Sequence, residues 1–214
     1  MKGHLLFIDT ETSGIPSYWN RPYSDDKNWP HVIQVAWIIC EIDGTEIKSA
    51  SKYIYENDIK IAPSSYRVHG ISTDFLRQEG DKRKEVLRKL SHDIHKYQPL
   101  IVGHFIELDV QILSADYYRS GLKNPFIDRS FFCTMLSSKK YAWNPSIRYL
   151  RLPQLHEQLF QQPLTDIHEA EQDARATAKC FFELLDRQEI TAQDLEQQQQ
   201  VFSQKLNFID KGIT

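Results

Sequence analysis

Val32 to Ile42 reads as a long strand with an unbroken apolar run, Val35 to Cys40, at its centre, and it leads directly into Asp43-Gly44. Asp-Gly tolerates the positive φ angles that a two-residue hairpin demands, so Thr45 to Tyr55 is expected to pair back antiparallel. Ahead of this hairpin, His4 to Thr10 is a short apolar run that ends in acid, as a fully buried strand would. Between the two lies Gly14 to His31, a polar and aromatic loop with three prolines and four aromatic residues.

Helical periodicity takes over further on. Ser72 to Gln78 and Lys82 to Lys96 read as helices, the second with a basic exposed face of Lys82, Arg83, Lys84, Arg88 and Lys89. Leu100 to Gly103 is a short buried strand. Ile106 to Arg119 is a helix with Leu108, Ile112, Leu113 and Ala115 as its apolar stripe, stopped by Gly121. Phe131 to Thr134 reads as another strand. Pro153 suits the first turn of a helix running to Phe160, because its missing N–H has no intrahelical partner there in any case. Glu169 to Leu185 is a helix with Ala170, Ala174, Thr177, Ala178, Phe181 and Leu185 on one side. Thr191 and Asp194 form a capping-box pattern for a Gln-rich helix whose Leu195, Phe202 and Leu206 are placed to dock on the body. Strands first, then alternating helices and strands, predict an α/β fold around a mixed sheet.

Composition narrows the function. With 26 Lys+Arg against 29 Asp+Glu in 214 residues, the net charge is −3, so a grip on polyanions would need local basic patches or metal ions. Six consecutive apolar residues fall far short of the roughly 20 needed to span a bilayer, and Asp9 interrupts any N-terminal signal core. Cys40, Cys133 and Cys180 are distant, odd in number and set among apolar residues, which predicts buried thiols in a reducing compartment. The expectation is a soluble, cytoplasmic chain without a membrane partner.

Acidic residues carry the chemistry. Asp9 and Glu11, two apart on a strand, point to the same side, and converging carboxylates repel unless a cation sits between them. The same pair also suits a strand that simply leaves the core for solvent. Asp109 lies in an otherwise largely apolar helical segment; near a helix N-terminus it has an ordinary dipole-complementing role. Glu169 and Glu171 are explained the same way, whereas Asp173, beside the alanine stripe, is not. His168, five residues before Asp173, meets that carboxylate only if it precedes the helix. Acids nearby would raise its pKa from about 6.5, toward the range of a general base.

Taken in order, these pieces resemble the DnaQ-like, DEDDh-type 3′–5′ exonucleases of ribonuclease H-like fold. Phe7 to Gly14 is similar to the family's first motif, Val102 to Asp109 to its second, and His168 with Asp173 to its third. Val68 to Ser72 and Cys133-Thr134-Met135 are further landmarks. The resemblance covers about residues 4 to 187, dividing the chain into a domain at 1–187 and a C-terminal helical extension at 188–214, packed on it or projecting from it. It departs in the second motif, where the family usually has His-Asn-x-x-Phe-Asp. Phe105 replaces the Asn and Leu108 the Phe, which alters how a terminal nucleotide would be seated.

The resemblance implies a mixed β-sheet with helices on both faces, and an enzyme that hydrolyses phosphodiester bonds from the 3′ end of nucleic acid, releasing nucleoside 5′-monophosphates. It implies that Asp9, Glu11, Asp109 and Asp173 hold two Mg²⁺ or Mn²⁺ ions, hard cations suited to oxygen ligands. His168 would take the proton from the attacking water. Thr12 and Ser13, through backbone amides, and His104 and Phe105 would meet the terminal nucleotide. Single-stranded DNA is the first substrate reading. An exoribonuclease resembling RNase T or oligoribonuclease is the second, and a non-catalytic nucleic-acid-binding module the reading from another class. A polymerase or repair partner is compatible with the resemblance, and the oligomeric state is open. The aromatic loop (Tyr18, Trp19, Tyr23, Trp29) could stack on splayed bases or pack against its own prolines. Basic residues at Lys82–Lys89, Lys139-Lys140 and Arg148/Arg151 would guide a strand or form solvated faces.

Overall fold

The structure, a computed structural model, describes residues 3–142, 144, 146–165 and 169–206. Its sheet is built around β1 (His4–Thr12), which pairs antiparallel with β2 (Val32–Glu41) on one side and parallel with β4 (Leu100–Gly103) on the other. β3 (Glu46–Tyr53) returns antiparallel along β2, and β5 (Phe131–Cys133) lies parallel to β4, giving the order β3-β2-β1-β4-β5. The expected hairpin turn is present: Gly44 takes a φ of +91°, and the Asp43 carboxylate accepts the Thr45 N–H at 2.9 Å.

Strand alternation divides the core in two. Leu6 and Ile8 of β1 face a layer that includes α3 (Arg83–Tyr97) and α4 (Ile106–Arg119). Leu5 and Phe7 face the opposite layer, α6 (Leu152–Phe160) and α7 (Ala170–Asp186). The mixed sheet with helices on both faces is therefore as expected. Ala170, Ala174 and Ala176 let α7 lie close to the sheet, and the Phe181 ring sits edge-on against Phe7 at 5.5 Å and Phe132 at 5.3 Å. All three cysteines are buried and free. Among the described residues no helix is long and apolar enough to cross a membrane.

Shorter helices fill the connections: α1 (Pro63–His69), α2 (Thr73–Glu79) and the single turn α5 (Thr134–Ser137), continued by a 3-10 turn at Ser138–Tyr141. None of the residues of α1 is buried, so there was no apolar periodicity to reveal it. The last helix, α8 (Ala192–Lys205), starts at the expected box, with Thr191 Oγ1 accepting the Asp194 N–H and the Asp194 carboxylate accepting the Thr191 N–H. It packs on the body. Phe202 and Leu206 join the α3/α4 core, and Gln198 bonds both backbone groups of Cys133, accepting from its N–H at 2.7 Å and donating to its carbonyl at 3.2 Å. Gln199 accepts the Phe131 N–H at 3.3 Å. Glutamine amides thus take the place of a further strand at the β5 edge, which would otherwise be open to pairing with another chain.

One expectation changes, and one alternative left open is decided. Arg83 does not belong to an exposed basic face; it is buried, donating to Asp58 at 2.9 Å and lying 3.5 Å from the Asp116 carboxylate. A guanidinium is stable there because carboxylates surround it. In the aromatic loop, Tyr23 and Trp29 are core residues, not a stacking surface: the Tyr23 hydroxyl donates to Gln111 at 2.5 Å and the Trp29 indole to the Pro22 carbonyl at 3.0 Å. Tyr18 is exposed, and Trp19 rests against Phe105 with ring centroids 5.8 Å apart.

Candidate active site

The alternation that points Leu5 and Phe7 at α7 carries on along β1, so Asp9 and Glu11 face the same side just beyond the apolar contacts. There they meet Asp173 in the first turn of α7. One carboxylate oxygen from each of the three lies within 4.8 Å of the others.

The register of α7 on the sheet is held by Gln34, the polar residue in the otherwise apolar stretch Val32–Cys40 and the neighbour of Glu11 across the ladder. Its amide donates to the Glu169 carboxylate at 2.6 Å and accepts the Ala170 N–H at 3.4 Å. Glu169 in turn caps α7 by accepting the Gln172 N–H. Gln34 was missed in the sequence, although a buried amide in mid-strand is a signal, since such a group must find partners.

Asp109 arrives from the other face. It lies in the first turn of α4, only 3% exposed, and accepts a hydrogen bond from the Thr10 hydroxyl at 2.7 Å. It stands outside the three-carboxylate group, but its charge acts on both Asp9 and Glu11. Thr10, which alternates onto the α4 side of β1, is the second residue that sequence reading overlooked.

This is an electrostatically unfavourable arrangement. Burial, and then the charges of Asp109, Asp173, Glu11 and Glu169, hold the Asp9 carboxyl well above its ordinary range. Burial, followed by Asp173, Asp109 and Glu169, pushes Glu11 up to about 8. Burial raises Asp109 to about 7 against the opposing hydrogen bond from Thr10. Acids so placed cannot all ionise near neutrality unless positive charge joins them. All the donors are oxygens, which suits Mg²⁺ or Mn²⁺.

Beside the acids lies a cavity of about 380 Å³ lined by Asp9 and Asp173 and walled by His104, Phe105, Met135, Tyr149 and Leu152 among others. His104 has both ring nitrogens engaged, with the Thr134 hydroxyl at 3.0 Å and the Leu150 carbonyl at 3.1 Å, and burial lowers its pKa to about 4. The ring is therefore neutral, with Nε2 donating to the carbonyl, and what it offers the cavity is a wall. Phe105 is left-handed, with φ 70° and ψ 40°. Asn accepts that conformation readily and Phe does not, so the departure from the family motif carries backbone strain.

Thr12 and Ser13 close the end of β1. The Thr12 hydroxyl donates to the Gly14 carbonyl at 2.7 Å. Ser13 is turned inward: its N–H donates to the His31 carbonyl, its carbonyl accepts from Ala62, and its hydroxyl accepts the His31 N–H, each at 2.8 Å. The expected nucleotide contact from the Ser13 amide is not available in this geometry. His168 lies outside the described residues.

Solved structures share this architecture. A structure of exonuclease I superposes with a TM-score of 0.72 at 17% identity, covering 92% of this chain and 43% of that one. The zinc-bound complex of E. coli exonuclease I with single-stranded DNA gives 0.71 at 18%, covering 87% and 41%. Exonuclease I from Methylocaldum szegediense gives 0.69 at 20%, again over 87% and 41%. At these identities the likeness is one of fold, and this chain spans about two-fifths of the length of those proteins. No curated protein matches the sequence. The exonuclease family model typified by RNase T matches residues 6–181, a span that contains Asp9, Glu11, Asp109 and Asp173, and the chain belongs to that family.

Proposed function

We propose that this chain is a metal-dependent 3′–5′ exonuclease that removes nucleoside 5′-monophosphates from the 3′ end of single-stranded DNA. The observation that carries the reading is the convergence of Asp9, Glu11 and Asp173 within 4.8 Å beside a nucleotide-scale cavity. The raised pKa values of Asp9 and Glu11 fit a site made for cations. Asp9, Glu11 and Asp173 would hold one divalent ion, and Asp9 with Asp109 a second. When bound, the ions supply an activated water and stabilise charge on the scissile phosphate.

The protein's own residues do the rest. Phe105, Tyr149 and the His104 ring would seat the terminal base and sugar. His168, just ahead of α7, would accept the proton of the attacking water. Thr10 holds the Asp109 carboxylate in place, and Gln34 sets the start of α7, from which Asp173 projects. DNA is favoured over RNA because E. coli exonuclease I is seen with single-stranded DNA and with a dT13 oligonucleotide.

The test is digestion of 5′-labelled single-stranded DNA and RNA with Mg²⁺, alongside Asp9→Ala and His168→Ala. A one-nucleotide ladder from the 3′ end of DNA, lost in both variants, is the expected result. Faster trimming of RNA would overturn the substrate class, and no cleavage of either polymer with Mg²⁺ or Mn²⁺ would overturn the reading.

A further inference from the structure

A second cavity, of about 590 Å³, opens beside the carboxylate cavity and shares Phe105, Met135 and Tyr149 with it as wall residues. The two cavities meet at Phe105. α8 lines this groove through Val201 and Lys205, and the stretch after α5 through Lys139 and Arg148.

Its charges are not balanced. Of the acids, Glu107 is paired with Lys205, and Asp194, an anion capped by the neutral Thr191, turns its carboxylate to the start of α8, so three cations face two anions. Lys139 and Arg148 are exposed, and neither has an ion pair among the described residues. Elsewhere in the basic clusters, Lys140 is matched by Glu189, Lys82 by Glu56 and Lys89 by Asp81. The Arg148 guanidinium lies 5.2 Å from the centroid of the Tyr149 ring, a cation beside a flat apolar face. Two cations without an ion pair, beside aromatic walls, match the alternation of phosphate and base in a single strand.

We propose that this groove carries the nucleotides upstream of the 3′-terminal one, with phosphates at Lys139 and Arg148 and bases along Tyr149 and the Val201 side of α8. The inference rests on the exonuclease reading and deepens it, making α8 part of the substrate track as well as the cover of the β5 edge.

The test compares two substrates on the full chain with Mg²⁺. The p-nitrophenyl ester of thymidine 5′-monophosphate has no upstream nucleotide, whereas a single-stranded ten-mer fills the groove. For Lys139→Gln with Arg148→Gln, and separately for Val201→Glu on the surface of α8, ester hydrolysis should stay within about twofold. kcat/KM on the ten-mer should fall about tenfold or more. Removing two single-strand phosphate contacts should also flatten the slope of log kcat/KM against log salt by about 1.4. An unchanged preference for the ten-mer, or equal losses on both substrates, would overturn the groove while leaving the exonuclease reading intact. Failure of the unaltered protein to hydrolyse either substrate would overturn both.

Discussion

Two buried acidic centres lie at opposite ends of the same loop, and they differ in whether burial is compensated. Asp116 on α4 is completely buried, yet its carboxylate accepts the Val32 N–H at 2.9 Å and an Arg119 N–H at 2.8 Å, with His31 and Arg83 each 3.5 Å away. Burial alone would raise its pKa; His31, Arg83 and Arg119 outweigh it and hold the group below its ordinary value. Asp9 and Glu11 are also withdrawn from water, but their neighbours are further acids, and both are raised. The first centre is a tie between α4 and the loop leading into β2. The second gathers acids around Asp9 and Glu11, and groups perturbed in this way cluster at functional sites.

The largest effect should come from Asp9→Asn, which keeps the shape and removes the charge. Nuclease activity should fall by at least about 10²–10³-fold, the scale of losing one fixed electrostatic stabiliser. Metal-free thermal stability should hold or rise, because repulsion is relieved. A fall in the metal-free Tm would show that the acids are compensated after all.

Asp116→Asn should do the reverse. Leaving Arg83 and Arg119 buried without their common anion should cost about 3–5 kcal/mol, or roughly 6–20 °C in Tm for a chain of this size. Thermal unfolding in EDTA measures it directly.

Next in size is the response to cations. Mn²⁺ or Mg²⁺ at about 100 times its Kd should raise Tm by about 5–10 °C, an increment abolished in Asp9→Asn and retained in Asp116→Asn. An equal rise in both variants would place the binding elsewhere.

The smallest test is pH. Glu11 and Asp109 have folded pKa values above their unfolded ones, so between the ordinary carboxylate range and about 7–8 the folded state binds more protons than the unfolded. Metal-free stability should therefore decline as pH rises through that window, and saturating Mg²⁺ should flatten the decline. Asp116 contributes with the opposite sign. Its stabilisation is present above the ordinary Asp pKa and is lost as pH falls through its lowered one. Tm profiles with EDTA and with Mg²⁺ separate the two centres.

Legibility followed periodicity. The β2–β3 hairpin, α4, α7 and the start of α8 were readable because an apolar repeat or a turn pair is written in neighbouring residues. α1 was not, since it buries nothing, and Arg83 misled, since a basic residue among basic neighbours looks solvated until Asp116 is seen beside it. Asp109 looked structural on local grounds; its place near Asp9 depends on Thr10, 99 positions away in sequence.

From sequence alone came the strands, the ordered acidic motifs and the family they resemble, because residue type and spacing are local properties that survive without coordinates. The tertiary structure alone decided that three carboxylates share one 4.8 Å cluster, that Ser13 turns inward, and that α8 is packed against β5 and lines a groove beside the acids. Those outcomes depend on which polar side chains are brought together once every strand and helix has buried its apolar face, and that balance is settled only between residues far apart in the chain.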